Sequence, residues 1–201
     1  EAYIQVLNVT LAVSFPAAIG IAIISPFFVK LFLGANWIPI VVTMQILAGW
    51  GFVNSFIATT TPLFDAIGVP DYSTKLRLLA VALIAVFIYP ATSRWGIDGT
   101  AVVIFGSGMI VSVLTIYIAA NTIDLDVGPI LGVIGYPALA SGVMGGLLVV
   151  LRMYVVQVDY AGMVLIIGTG VVTYTLAIVG LDRWTGYELR DTIKLIYQSF
   201  A

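Results

Sequence analysis

Six long apolar stretches follow one another along the 201-residue chain, separated by short polar breaks. Each is long enough to cross a bilayer as a helix, which takes about 20 apolar residues. The stretches cover residues 6–33, 38–66, 76–92, 97–120, 128–151 and 160–181. Membrane strands would alternate apolar and polar residues over about ten positions, and these runs do not alternate. The pattern therefore predicts an all-α, polytopic membrane protein, with a six-helix transmembrane bundle over residues 1–184.

The last residues, 185–201, have a different pattern. Thr185 and Glu188 fit a capping box, in which the two side chains satisfy free backbone donors at a helix start. Apolar residues then recur at helical spacing: Leu189, Ile193, Ile196, Tyr197 and Phe200. We expect a short amphipathic helix, which either lies on the cytoplasmic membrane interface or packs on another part of the protein.

Composition agrees with a membrane location. The chain is 61% hydrophobic and 9% charged, whereas soluble domains average about 25% charged residues. It has no Cys and no His, which leaves no disulfide, no Cys/His metal site and no Cys or His catalysis, and no cofactor is expected. The net charge of −2 and the lack of a basic cluster give no indication of a nucleic-acid partner. Because the chain opens on Glu1 without a signal-type pattern, we expect a piece of a longer protein.

The cations predict an orientation, since Lys and Arg beside spanning helices favour the cytoplasmic side. With six spans, the polar turn at residues 67–77, the loop at 121–127 and the tail fall on one side. Five cations lie there and three on the other side: Lys75, Arg77, Arg183, Arg190 and Lys194 against Lys30, Arg94 and Arg152. Both ends of the chain are therefore predicted to be cytoplasmic. The cytoplasmic turn is defined by Gly68, Pro70, Lys75 and Arg77.

A polar stripe marks the second apolar stretch. At about 100° per residue, its members share one narrow helix face: Thr43, Trp50, Asn54, Thr61 and Asp65. Polar groups facing lipid are costly, so the stripe is expected to face a bundle interior or a cavity. There Asn54 and Thr61 would bond to hydroxyl groups and Trp50 would stack on a ring. The alternative is that Asn54 only bonds a neighbouring helix.

Asp65 and Lys30 each leave a structural and a functional interpretation open. Asp65 lies near a helix end and is either solvated or paired with Lys75 or Arg77, or else it couples transport to a cation. Lys30 either extends to the interface or attracts a diphosphate headgroup. Gln45, on the opposite face from the stripe, is expected to bond another helix.

Small residues four apart in the fifth stretch predict close helix packing: Ser141 with Gly145, and Gly142 with Gly146. No nucleotide loop, nucleophile elbow, dinucleotide fingerprint or metal cluster occurs in the sequence. The sequence therefore does not predict an enzyme.

Three segments, in this order and spacing, resemble a known family: VKLFLGANWIPIVVTMQILA (29–48), AIGVPDYSTKLR (66–77) and RWGIDGTAVV (94–103). They are similar to the C-terminal half of polysaccharide-biosynthesis and O-antigen flippases, in the multidrug/oligosaccharidyl-lipid/polysaccharide exporter superfamily. The resemblance covers roughly residues 1–125, and the last two stretches match in number and hydropathy. Four residues fit the family pattern as turn formers: Gly68, Pro70, Gly96 and Gly99.

The resemblance implies one lobe of a MATE-like, two-lobe transporter that moves a lipid-linked oligosaccharide across the cell membrane by alternating access. Its implied partners are the bilayer, the lipid-linked glycan and a missing N-terminal lobe. Three alternatives remain. A cation or drug antiporter of the same superfamily predicts a carboxylate at mid-membrane, and none occurs there. A membrane polymerase or glycosyltransferase would need a large soluble loop, and the loops are short. The third alternative is a non-transporting scaffold subunit.

Overall fold

The computed structural model describes residues 2–122, 127–154 and 159–185, and the regular elements in these ranges are all helical. A π-helical turn at Val29–Leu33 extends the first helix, and a 3₁₀ turn at Ala35–Trp37 precedes the second. The α-helices are α1 (Ala2–Phe28), α2 (Ile40–Ala66), α3 (Asp71–Thr122), α4 (Val127–Tyr154) and α5 (Tyr160–Thr185). The all-α prediction is confirmed for the described residues. The tail helix predicted over 185–201 lies outside them, apart from Thr185 at the end of α5, as do residues 123–126 of the 121–127 loop.

Within the described residues, five helices are long and apolar enough to cross a membrane. Large apolar side chains are exposed on each of them, for example Val13, Val42, Val81, Val143 and Val171. In water such exposed apolar surfaces would favour aggregation, whereas lipid solvates them. The described structure is thus compatible with a membrane protein.

The third and fourth predicted stretches, residues 76–92 and 97–120, lie on the single element α3. A straight helix of its 52 residues would be about 78 Å long, more than twice the roughly 30 Å of a bilayer core. Gly96 interrupts it with φ 58° and ψ −136°, a conformation open mainly to glycine. Two separate arms result, residues 71–95 and 97–122.

The chain reverses direction at Gly96. The hydroxyls of Thr92 and Thr100 are 2.7 Å apart, although eight residues along a straight helix would separate them by about 12 Å. A Cβ atom at Gly99 would lie 2.2 Å from the carbonyl oxygen of Ala91. The reversal between the third and fourth predicted stretches is thus confined to Gly96, because helix continues to the residues on both sides of it.

The two arms of α3 run antiparallel to each other, and α3 packs on α2. Thr43, near the start of α2, donates a hydrogen bond to Asp98 beside the reversal. Phe64, near the end of α2, belongs to one buried cluster with Leu76 of the first arm and Ala119 of the second. The first arm therefore begins, and the second ends, at the same end of the bundle.

The remaining helices assemble around α1, which packs against α2, α4 and α5. Near its start, Leu7 and Leu11 of α1 pack with Phe56 of α2 and Val133 of α4. Nearer its end, a second cluster joins α1 to α4 and α5 through Ile23, Phe27, Met144, Leu148 and Ile166. The core of the described chain is therefore a pair of apolar clusters along α1 and a third between α2 and α3.

The small residues of α4 fall on two different faces. Ser141 is fully buried, and a Cβ atom at Gly145 would lie 2.9 Å from the side chain of Ile19 on α1. The close packing predicted for this pair is confirmed. Gly142 and Gly146 are exposed, and a Cβ atom at either would meet nothing within 4 Å, so their predicted close packing does not occur within the described chain.

Two prolines in α1 free carbonyl groups that other helices bind. Proline has no N–H, so the carbonyl four residues earlier loses its helical donor. The carbonyl of Ala12, four residues before Pro16, accepts a hydrogen bond from the Tyr174 hydroxyl of α5. The carbonyl of Ala22, four residues before Pro26, accepts bonds from Gln45 of α2 and from Ser25. The interhelical bond expected of Gln45 is therefore confirmed.

The predicted cytoplasmic turn joins α2 to α3. Gly68 takes φ 76°, and the amide of Val69 donates back to the carbonyl of Phe64, which closes the end of α2. The carbonyl of Pro70 then accepts from the amide of Thr74 in the first turn of α3. Gly68 and Pro70 thus form the turn, as expected from their residue types.

Candidate functional site

A cavity of about 700 Å³ lies between α2 and both arms of α3. Its α2 wall includes four members of the predicted polar stripe: Trp50, Asn54, Thr61 and Asp65. These residues span 15 positions, or about 22 Å along the helix. The prediction that one face of the second stretch borders a cavity therefore agrees with the structure for these four side chains.

Thr43 is the exception, because it is not among the residues around the cavity. Its hydroxyl donates to Asp98 at 2.5 Å, beside the reversal of α3. Thr43 lies on the same face of α2 as the rest of the stripe, but at this end of α2 the reversal of α3 packs against that face. Thr43 therefore fastens the Gly96 reversal to α2 instead of lining the cavity.

Asn54 is exposed to the cavity and forms no hydrogen bond with a described residue. The alternative prediction, a hydrogen bond between Asn54 and a neighbouring helix, is thus not observed within the described chain. An amide offers two donors and an acceptor. Asn54 consequently presents its full hydrogen-bonding capacity to whatever occupies the cavity.

Thr61 belongs to the run Thr59, Thr60 and Thr61, whose hydroxyls each donate to the carbonyl four residues earlier. The next residue, Pro62, has no N–H, so the carbonyl of Ala58 also lacks its helical donor. Ala58 and Pro62 both line the cavity beside Thr61. This part of α2 therefore presents oxygen acceptors, from the hydroxyl and the backbone, to the cavity.

Asp65 and Arg77 bring opposite charges to the end of the cavity near the 67–70 turn. Within the described residues neither forms an ion pair, so the pairing considered for Asp65 is not observed. The other candidate partner, Lys75, lies over the ring of Tyr72 at 5.7 Å. The Asp65 carboxylate and the Arg77 guanidinium are both exposed and available to a ligand.

Trp50 forms the wall at the opposite end of the cavity. Its indole packs on Gly108 of the second arm, where an added Cβ atom would lie 3.3 Å from the ring carbon Cδ1. With 36% of its surface exposed, the ring is held between α3 and the open space. Gly108 thus fixes one edge of the ring and leaves the rest accessible.

The α3 wall was largely missed by sequence reasoning, which found only Arg77 there. Its other polar members are Ser73, Ser107 and Thr115. Ser107 and Thr115 donate their hydroxyls to carbonyls of their own helix, whereas the buried Ser73 oxygen has no partner in the described chain. A signal existed in the second arm, since residues 104, 107, 108, 111 and 115 follow helical spacing.

Comparisons with protein-family models, with curated proteins and with solved structures find no match for this chain.

Proposed function

We propose that this chain is the C-terminal lobe of a membrane flippase that moves a lipid-linked oligosaccharide or polysaccharide precursor across the cytoplasmic membrane. The observation that carries the proposal is the cavity between α2 and α3. It gathers Trp50, Asn54, Thr61, Asp65 and Arg77 on two helices that are apolar enough to cross a membrane. Polar residues at such depth in a membrane protein usually mark a substrate pathway.

The proposal includes six membrane crossings, one for each arm of α3 and one for each other helix. The reversal at Gly96 supports this count, since the arms of α3 meet there and run in opposite directions. An even number of crossings leaves both termini on one side, and the cation bias assigns that side to the cytoplasm. Maleimide labelling in intact cells tests it: Asn36→Cys should react and Thr74→Cys should not, and the reverse result would invert the topology.

The cavity chemistry suits an amphipathic molecule with a hydroxyl-rich headgroup. Asn54, Thr61 and the Ala58 carbonyl offer donors and acceptors, and Trp50 offers an aromatic face on which a sugar ring can stack. Between them lie apolar side chains such as Ile84 and Ile104, which would contact the less polar parts of the substrate. Most of these groups are uncharged, so the cavity is better matched to sugar hydroxyls than to a strongly charged solute.

The second wall of the pathway would come from an N-terminal lobe. In two-lobe transporters one bundle moves against the other around a site between them. We therefore expect residues 1–201 alone not to transport. Expression with the missing half as a separate chain in a flippase-deficient host should restore glycan export. Export by residues 1–201 alone would refute the half-transporter interpretation.

A matched pair of threonines tests the cavity itself. Thr59 and Thr61 make the same 2.8 Å bond to a carbonyl four residues earlier, but only Thr61 lines the cavity. In the restored transporter, Thr61→Val should lower export about two- to tenfold. This is the effect of losing one hydrogen bond to the substrate, worth about 0.5–1.5 kcal/mol. Thr59→Val should leave export unchanged at equal protein level. Equal effects of both variants would assign the stripe to packing.

A cation-coupled antiporter is the second candidate, favoured by one observation. Asp65 lies in the cavity wall without an ion pair in the described chain, as a coupling carboxylate would. Asp65→Asn separates the candidates. Loss of cation-driven drug efflux together with retained glycan export would favour the antiporter for this residue. If the Asp65→Asn variant retains both activities, Asp65 is a solvated residue at the end of α2 with no role in coupling. Absence of both activities in the complete protein would favour the scaffold subunit.

A further inference from the structure

A second space, of about 510 Å³, opens between the two arms of α3 toward the Gly96 reversal. Its walls are almost entirely apolar, with Leu83 and Phe87 on the first arm and Val102 and Ile110 on the second. We name this space the arm groove. It is separate from the α2–α3 cavity, and the two share only Ser107.

The arm groove exists because the arms touch at the reversal and diverge beyond it. Gly99 meets the Ala91 backbone closely, so the helices are in contact there. Further from the reversal, Gly106 contributes no side chain, and a Cβ atom at this position would meet nothing within 4 Å. The hydroxyl of Ser107 donates to the carbonyl of Ile104, so this wall residue offers the groove no free donor.

Among the residues that line the groove only one is charged, and it lies at the mouth, the end next to the Gly96 reversal. Arg94 and Trp95 lie there, directly before Gly96, and both are exposed. Arg94 forms no ion pair within the described residues. Tryptophan prefers the membrane–water interface. The mouth is therefore at headgroup depth, with an unpaired cation.

The dimensions fit one lipid leaflet. From Leu83 to Arg94 the first arm rises 11 residues, about 16 Å, which is close to half of the roughly 30 Å hydrocarbon core. An occupant with its polar end at Arg94 would thus extend its apolar part along the groove to about the bilayer midplane.

We propose that the arm groove binds one acyl chain of an anionic phospholipid, whose phosphate is held by Arg94. A guanidinium binds phosphate through two parallel hydrogen bonds. The nearest carboxylate along the chain, Asp98, accepts a bond from Thr43 and is not among the residues that line the groove, so the lining offers no carboxylate to a lipid ammonium group. A headgroup with net negative charge is therefore favoured over a zwitterionic one. The inference does not depend on the transport function.

The test uses the purified 201-residue chain in detergent micelles, with native mass spectrometry to count and titrate bound lipid. The probes are phosphatidylglycerol and phosphatidylcholine with identical acyl chains. We expect one phosphatidylglycerol to bind at least fivefold more tightly than phosphatidylcholine. Arg94→Gln should remove this preference, while Arg152→Gln, which neutralises another exposed cation outside the groove, should preserve it.

A second pair of variants tests the groove walls with Arg94 in place. Gly106→Leu fills the open space, and we expect it to weaken binding of both lipids at least fivefold. Gly168→Leu is the control, because Gly168 is exposed on α5, away from the groove, with nothing within 4 Å of an added Cβ atom. Equal affinity for the two lipids in the unaltered chain, or an Arg94→Gln variant with unchanged preference, would overturn the proposal. So would a dimer of the unaltered chain that Gly106→Leu dissociates, since a second copy would then occupy the groove.

Discussion

The reversal of α3 depends on the absence of a side chain at residue 99, and Gly99→Ala tests this directly. An alanine Cβ atom would lie 2.2 Å from the carbonyl oxygen of Ala91, 2.6 Å from its carbonyl carbon and 3.2 Å from the amide nitrogen of Thr92. All three neighbours are backbone atoms, so no side chain can rotate away. The two arms of α3 must separate to admit one methyl group.

The size of the effect follows from these distances. The 2.2 Å separation is 1.2 Å shorter than the 3.4 Å at which ordinary contact begins. Overpacking by a methyl group costs about 1–3 kcal/mol in cores that can relax, and a contact with rigid backbone belongs at the upper end. The movement also stretches the 2.7 Å bond between Thr92 and Thr100, which adds about 1 kcal/mol. We expect a total loss of about 3–4 kcal/mol in the free energy of unfolding, given by these two costs together.

The assay is unfolding of the purified chain in mixed micelles with increasing dodecyl sulfate, followed by circular dichroism. Gly106→Ala is the control in the same arm, because its Cβ atom would meet nothing within 4 Å. Alanine is the better helix former by up to about 1 kcal/mol, so this variant should be neutral or slightly stabilised. If Gly99→Ala matched Gly106→Ala in stability, the tight approach of the arms, and with it the packing at the reversal, would be refuted.

Four other substitutions give three separate tests, two of stability in this chain and one of export in the restored two-lobe transporter. Gly96→Ala should lower the free energy of unfolding by about 1–3 kcal/mol, since alanine is strained at φ 58°; an unchanged unfolding midpoint would contradict this. Tyr174→Phe should destabilise more than Gln45→Leu, each within about 0.6–1.7 kcal/mol, because the carbonyl bound by Gln45 has a second donor; the reverse order in the dodecyl sulfate titration would contradict it. Gly108→Ala should displace the Trp50 ring and lower glycan export with little loss of protein, and full export would show that the ring position is unimportant.

Much of the fold was predictable from hydropathy, because lipid requires a long uninterrupted apolar run for each crossing. The boundaries in α3 were harder. Pro90 and the polar residues after it indicated an end near Thr92, yet helix continues to Trp95. A proline in a membrane helix is tolerated where neighbours satisfy the freed groups, so it does not mark a helix end as reliably as in water. The reversal itself was signalled by Gly96 and Gly99.

The candidate site was predictable on one side only. Polar residues of α2 stand out against an apolar background, and their common face follows from helix geometry alone. Thr43 has the same periodicity but a different environment, which depends on how close the arms of α3 come. The α3 wall was harder still, because Ser107 and Thr115 bond within their own helix and resemble ordinary packing residues. The arm groove depends on divergence between helices, which no periodicity encodes.

The prolines of α1 have a consequence for the uniqueness of the helix arrangement. An apolar helix in lipid gains little free energy from packing on one neighbour, or in one rotation, rather than another, since the surrounding lipid tails are equally apolar. The acceptors at Ala12 and Ala22 are ten residues apart, about 15 Å along the axis, and they are bound by α5 and α2 respectively. Two fixed points at different heights, on different neighbours, determine both the rotation and the depth of α1. The two prolines, a residue type best known for bending helices, here free the two carbonyl acceptors that determine where α5 and α2 pack on α1.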